Sequence, residues 1–156
     1  MISVSKLISW FIVVNAQKQL AQPQAEKLTQ MKLIFLLYYV QGTHLALYNE
    51  KAFSNDILAW KYGPAVALVH YRFRGKRVIT DNVTTRDEVN YREVNQNDQL
   101  LRLVFEVQET FGDKTAAALS RQTMRERPWQ ATTPSGVIDP QVMKDYFQKH
   151  IVEFDD

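Results

Sequence analysis

Three histidines, His44, His70 and His150, are the side chains best suited to proton transfer or metal ligation near neutral pH, and they lie far apart in the chain. No HExxH pair or comparable spacing joins them, so each reads as a structural or solvent-facing residue. The chain contains no cysteine, which excludes thiol catalysis, thiolate-bound zinc and a disulfide framework, and fits a reducing compartment. Its five glycines are scattered, and neither GxGxxG, GxxxxGKS nor GxSxG occurs, so no phosphate-cradling loop or nucleophile elbow is legible. The carboxylates fall in helix first turns, polar loops and the segment EFDD, with no spacing that marks a catalytic pair. The expectation is a protein that is not an enzyme and carries no cofactor or metal.

What remains is the chemistry of recognition. The cluster HYRFRGKR crowds Arg72, Arg74, Lys76 and Arg77 together, with Tyr71 and Phe73 interleaved. Such a cluster can neutralise phosphates while its aromatics stack on bases. It can also complement a helix C-terminus, or steer an acidic patch of a protein partner. A net charge of +2, from 19 basic and 17 acidic residues, is too balanced to imply nucleic-acid binding by bulk charge. Aromatic residues are dense between Phe35 and Phe73, including Tyr38, Tyr39, Tyr48, Phe53, Trp60, Tyr62 and Tyr71. A domain of this size is not expected to enclose all of them, and Tyr and Trp suit interfaces because they bury a large area behind a polar handle.

The elements that would position these groups start with LIFLLYYV, residues 33–40, apolar all round. A bilayer span needs ~20 apolar residues, and this run is shorter, with Lys32 before it and Gln41, Gly42 and His44 after it. It reads instead as a central helix enclosed by its neighbours, capped by Thr29 and running to about Tyr48. Upstream, Leu7 to Val14 resembles a signal-peptide core, with Val14 and Ala16 placed as a cleavage site requires. Yet Leu7, Ile8, Phe11 and Ile12 share one helical face, and NAQKQLAQ continues the helix, so residues 5–20 are expected to stay in a cytoplasmic protein.

Residues 57–62 alternate like a strand; Gly63 permits an unusual backbone angle, and Pro64 suits the first turn of a helix through Val66, Val69 and Phe73 to Gly75. RVIT is expected as a second short strand, and residues 81–94 as an exposed polar connection. Asn95 would cap a helix through Phe111, with Leu100, Leu103, Val104 and Val107 facing inward. Gly112 would close it, Asp113 would cap KTAAALSRQT, and RERPWQATTPSG would be irregular. Asp139-Pro140 opens a last helix with the stripe Val142, Met143, Tyr146, Phe147 and Ile151. The expected fold is mainly α, one domain over residues 1–156 around a buried central helix, with a small two-stranded β element.

KLIFLLYYVQGTHLALY, then AWKYGPAV, VHYRFRG and LSRQTMRERPW, resemble the Panacea antitoxin-domain family, also called SocA-like or GepA-like. The family typically reads KLQKLLYYAQGWHLAL, AWKYGPVV and LSELTHREGPW. The resemblance spans about Ser5 to Phe147. It departs at Ile34 and Phe35, where the family has Gln-Lys, at Thr43, where it has Trp, and at Met124, where it often has His. Those departures imply a greasier partner surface or a more deeply buried second helix.

The resemblance implies a mainly α-helical fold and no enzymatic activity. It implies the antitoxin of a type II toxin–antitoxin system, often carried by a prophage or other mobile element, that neutralises a cognate protein toxin by direct binding. An alternative is a protease adaptor, delivering the toxin to a cellular protease, or a prophage regulator; nucleic-acid binding ranks below both. No helix-turn-helix is legible beside the shared region, so any DNA-binding autoregulation is expected from the domain itself. Tyr39, Trp60, Tyr62, Arg72 and Arg74 are expected in or near the partner surface. Leu36, Leu37, Tyr38, Gln41, Gly42, Gly63 and Pro64 are expected to be the structural motif. The sequence sets no oligomeric state.

Overall fold

The run at 33–40 becomes the axis of the molecule. In the computed structural model, which describes residues 1–152, Thr29 caps α2 (Gln30–Tyr48), its Oγ1 accepting the Lys32 amide at 3.1 Å. Asn49, in the left-handed conformation at φ 56°, ends the helix and returns its amide to the Leu45 carbonyl. Every residue from Lys32 to Gly42 is buried. A helix that is apolar on all sides needs cover on all sides.

Eight helices and two strands are present among the described residues, and they supply that cover. Helix α8 (Pro140–His150) lies along one side of α2, opened as expected by Asp139 and Pro140. Helices α5 (Asp98–Phe111) and α6 (Ala116–Met124) cover another. Their caps are Asn97 and Thr115 rather than Asn95 and Asp113, because those side chains reach the Leu100 and Ala118 amides. The segment expected to be irregular holds a short helix, α7 (Arg127–Gln130), with Pro128 in its first turn.

Helix α1 (Val4–Ala21) runs past Ala16 and buries Leu7, Ile8, Phe11 and Ile12 in the same core as α2. Its main partner is α4 (Thr85–Asn95), in the region expected to be an exposed connection. Thr84 and Asp87 form a reciprocal capping box at its start. The inward face of α4 is Asp87, Asn90 and Val94, two of the three polar, so hydrophobic periodicity has little to register. Hydrogen bonds make that burial tolerable: Ser9 Oγ donates to Asp87 Oδ1 at 2.8 Å, and Asn90 Nδ2 donates to Ser9 Oγ at 3.0 Å.

The β element is a hairpin, β1 (Leu58–Trp60) and β2 (Gly63–Ala65), turned by Lys61 and Tyr62. The second strand is therefore GPA and not RVIT, from which Val78 makes only an isolated bridge to Thr29. Pro64 lies in that strand, and α3 (Ala67–Arg72) starts beyond it. Register explains the proline. It faces Ala59, whose amide donates to the Gly136 carbonyl and whose carbonyl accepts from the Ser135 amide, on the opposite side from β2. Pro64 thus sits where the ladder asks for no donor. No helix among the described residues is long and apolar enough to cross a membrane.

Candidate partner-binding site

An open groove of about 1140 Å³ lies where the first turns of α2 meet the hairpin, α3 and residues 75–78. Met31, Ile34 and Phe35 line its floor at the spacing of one helical face. Trp60, Pro64 and Ala65 line the hairpin side. Tyr62 stands at the rim, 55% exposed, with the Lys61 ammonium 5.4 Å from its ring centroid.

The hairpin is held from behind. Trp129 Nε1 donates to the Trp60 carbonyl at 2.8 Å, and Ser120 Oγ donates to the Tyr62 carbonyl. The His70 ring meets the Trp60 ring edge-on, with centroids 5.3 Å apart. Gly63 adopts φ 134°, and a Cβ there would meet Thr123 Oγ1 at 2.8 Å and the Phe35 ring at 2.9 Å, so only glycine lets the hairpin close onto α2 and α6. These contacts fix Trp60 and Tyr62 on a rigid support, which lowers the ordering cost of binding through them.

The residues expected at a partner surface divide. Trp60 and Tyr62 both line the groove. Arg72 and Arg74 do not: the Arg72 guanidinium lies 3.9 Å from Asp87 and over the Phe73 ring, and Arg74 lies over Tyr71. Tyr39 is fully buried and belongs to the core. Its ring stacks on Phe111 with centroids 3.8 Å apart, and its hydroxyl donates to Glu126 Oε2 at 2.9 Å while accepting from Gln122 Nε2 at 2.8 Å. Tyr38 donates to the other oxygen, Oε1, at 2.8 Å. A tyrosine tip that finds a buried carboxylate has no need of solvent. Burial pushes the Glu126 carboxyl above the usual carboxylate range, and the two tyrosine hydroxyls and Gln122 pull it back. Burial and the nearby carboxylate raise both tyrosine hydroxyls.

The histidines stay apart: His44 Nδ1 meets the Glu50 carbonyl, His70 meets Trp60, and His150 packs on Tyr146. Among the described residues, no group of three or more His, Cys, Asp or Glu is placed to hold a metal ion.

A family model described as antitoxin SocA-like, Panacea domain, matches residues 33–130, from the apolar run through α7. The chain belongs to this family. No curated protein and no solved structure matches it.

In this Panacea domain the most recognisable letters are architectural. Leu36, Leu37 and Tyr38 are fully buried. Gln41 binds the Ala52 amide and the Phe53 carbonyl, each at 2.7 Å, and so pins the loop after α2. Gly42 lies against the ring of Phe147, where a Cβ would sit 2.3 Å from the ring atom Cζ. The departures Ile34 and Phe35 lie on the groove floor. Met31 and Lys61 are groove residues that the sequence did not single out. A helix apolar all round does not announce which face is open; the available signal was Ile34 and Phe35, where the chain departs from the family's Gln-Lys.

Proposed function

We propose that this Panacea domain is the antitoxin of a type II toxin–antitoxin pair. It binds the protein toxin encoded by a neighbouring gene in the cytoplasm and occludes the toxin's active face. The reading is carried by one combination: a member of an antitoxin family that holds an exposed Tyr62 and a half-buried Trp60 beside an open apolar groove. Fixed aromatics next to an apolar hollow are what hot spots at protein interfaces are made of. Trp60 and Tyr62 contact the toxin, and the chain acts by contact alone.

Co-expression with the neighbouring gene tests this. The expected result is relief of growth arrest, a co-purifying complex, and toxin that persists in the cell while inactive. Toxin that vanishes on co-expression points to a protease adaptor. Growth arrest that continues with both proteins folded and no complex formed refutes the proposal.

A further inference from the structure

We infer that the groove takes an acidic, amphipathic segment of the partner, seated by apolar side chains on Met31, Ile34 and Phe35 with its carboxylates against the rim. The inference rests on the antitoxin reading and specifies the chemistry of the surface it needs. Size comes first. At about 1140 Å³ the groove exceeds the roughly 300–1,000 Å³ of small-molecule pockets, and it is open, as a polypeptide segment requires.

Charge selects the segment. Four cationic side chains, Lys27, Lys61, Lys76 and Arg77, line the groove beside one carboxylate, Glu26. That carboxylate is already engaged, with Oε1 accepting the Ala116 amide at 3.0 Å at the start of α6. Lys27 lies 4.0 Å from Asp81; Lys61, Lys76 and Arg77 are exposed and make no ion pair among the described residues. An apolar floor with cations at its edge complements a segment with an apolar stripe flanked by Asp and Glu. Strand addition is disfavoured because Pro64 offers β2's outer edge no amide, so the segment docks through its side chains.

Nucleic acid fits less well. Phosphates gain nothing from a floor of Met31 and Ile34, which offers them neither charge nor a hydrogen-bond donor.

The test uses the full chain and a triple variant, Lys61→Glu with Lys76→Glu and Arg77→Glu, all at exposed positions. Binding of the neighbouring-gene toxin is titrated at low and high salt. The triple variant is expected to bind about tenfold more weakly and to lose most of the salt dependence, with an unchanged melting temperature. Full affinity in the triple variant overturns the inference while leaving the antitoxin reading standing. If the wild-type chain binds no toxin, the antitoxin reading fails and a second arm decides the groove: a synthetic Glu/Leu amphipathic helix, its Lys/Leu counterpart and a single-stranded DNA. Retention of the Glu/Leu peptide alone, lost in the triple variant, supports the inference. Failure to retain it, or preferential retention of the DNA, overturns it.

Discussion

The Tyr39 hydroxyl donates to Glu126 Oε2 at 2.9 Å across 87 residues of chain, tying the middle of α2 to the turn between α6 and α7. Tyr38 takes the second carboxylate oxygen, so two adjacent residues of the central helix share one buried acceptor. The same α6–α7 region carries Ser120 and Trp129, which hold the carbonyls of Tyr62 and Trp60. The buried network and the groove therefore share a support.

Because burial raises the Glu126 carboxyl, the folded state holds its proton more tightly than the unfolded chain, where the group titrates near about 4.3. Its contribution to stability is greatest below that unfolded value and declines as pH rises through the raised folded value. Glu126→Gln removes the titration. The melting temperature of the variant minus that of the wild type is expected to increase from mildly acid pH to neutrality. Lys6 on Glu93 and Lys18 on Asp113 lower those carboxyls and act in the opposite sense, but they are present in both proteins and cancel in the difference. A difference that stays flat or shrinks with rising pH rejects a raised Glu126.

Gly42 has no room for a methyl group, since Phe147 is fully buried and its ring fills the space. Gly42→Ala is expected to destabilise the fold by about 1–3 kcal/mol, through overpacking. Phe147→Ala alone should cost about 3–5 kcal/mol. In the Phe147→Ala background the clash is gone, and Gly42→Ala should become neutral or stabilising by up to ~1 kcal/mol through helix propensity. Denaturant melts of the four proteins check this, and the same cost in both backgrounds defeats the packing argument.

Much of the fold was readable because its signals are local. Thr29 as a cap, Asp139-Pro140 as a helix start and the apolar run at 33–40 each act through the nearest turn of chain. What escaped was decided by partners far away in sequence. Helix α4 hides behind buried Asp87 and Asn90, which Ser9 of α1 bonds from 78 and 81 residues away. Pro64 reads as a helix start until residues 135–136 are seen taking both backbone groups of Ala59. Tyr39 reads as an interface tyrosine until Glu126 folds back to it. Of the residues expected at a partner surface, Trp60 and Tyr62 lie on the candidate groove, whereas Arg72 is turned to Asp87 by a helix the sequence did not reveal.

Tyr62 and Trp60 should separate binding from folding. Tyr62 is mostly exposed, so Tyr62→Ala is expected to leave stability within about 0.5 kcal/mol of wild type, as surface changes do. Toxin affinity should fall by roughly 2 kcal/mol or more. Trp60 packs on the core as well as lining the groove, so Trp60→Ala should lower both. Calorimetric titration beside thermal melts reads the two effects; undiminished affinity in a folded Tyr62→Ala removes that side chain from the contact.

The matched interval 33–130 is not expected to fold alone. Leu7, Ile8, Phe11 and Ile12 of α1 and Met143 and Phe147 of α8 lie outside it, yet all belong to the core that covers α2. Removing them exposes the sides of a helix with no polar face. Each large side chain lost from a core costs several kcal/mol, and a domain's whole stability is only about 5–15 kcal/mol. A fragment of residues 33–130 should show no cooperative thermal transition, and the same holds for a chain cut after Ala16, as a signal peptidase would cut it. A sharp melt from either would mean that α2 finds its cover elsewhere.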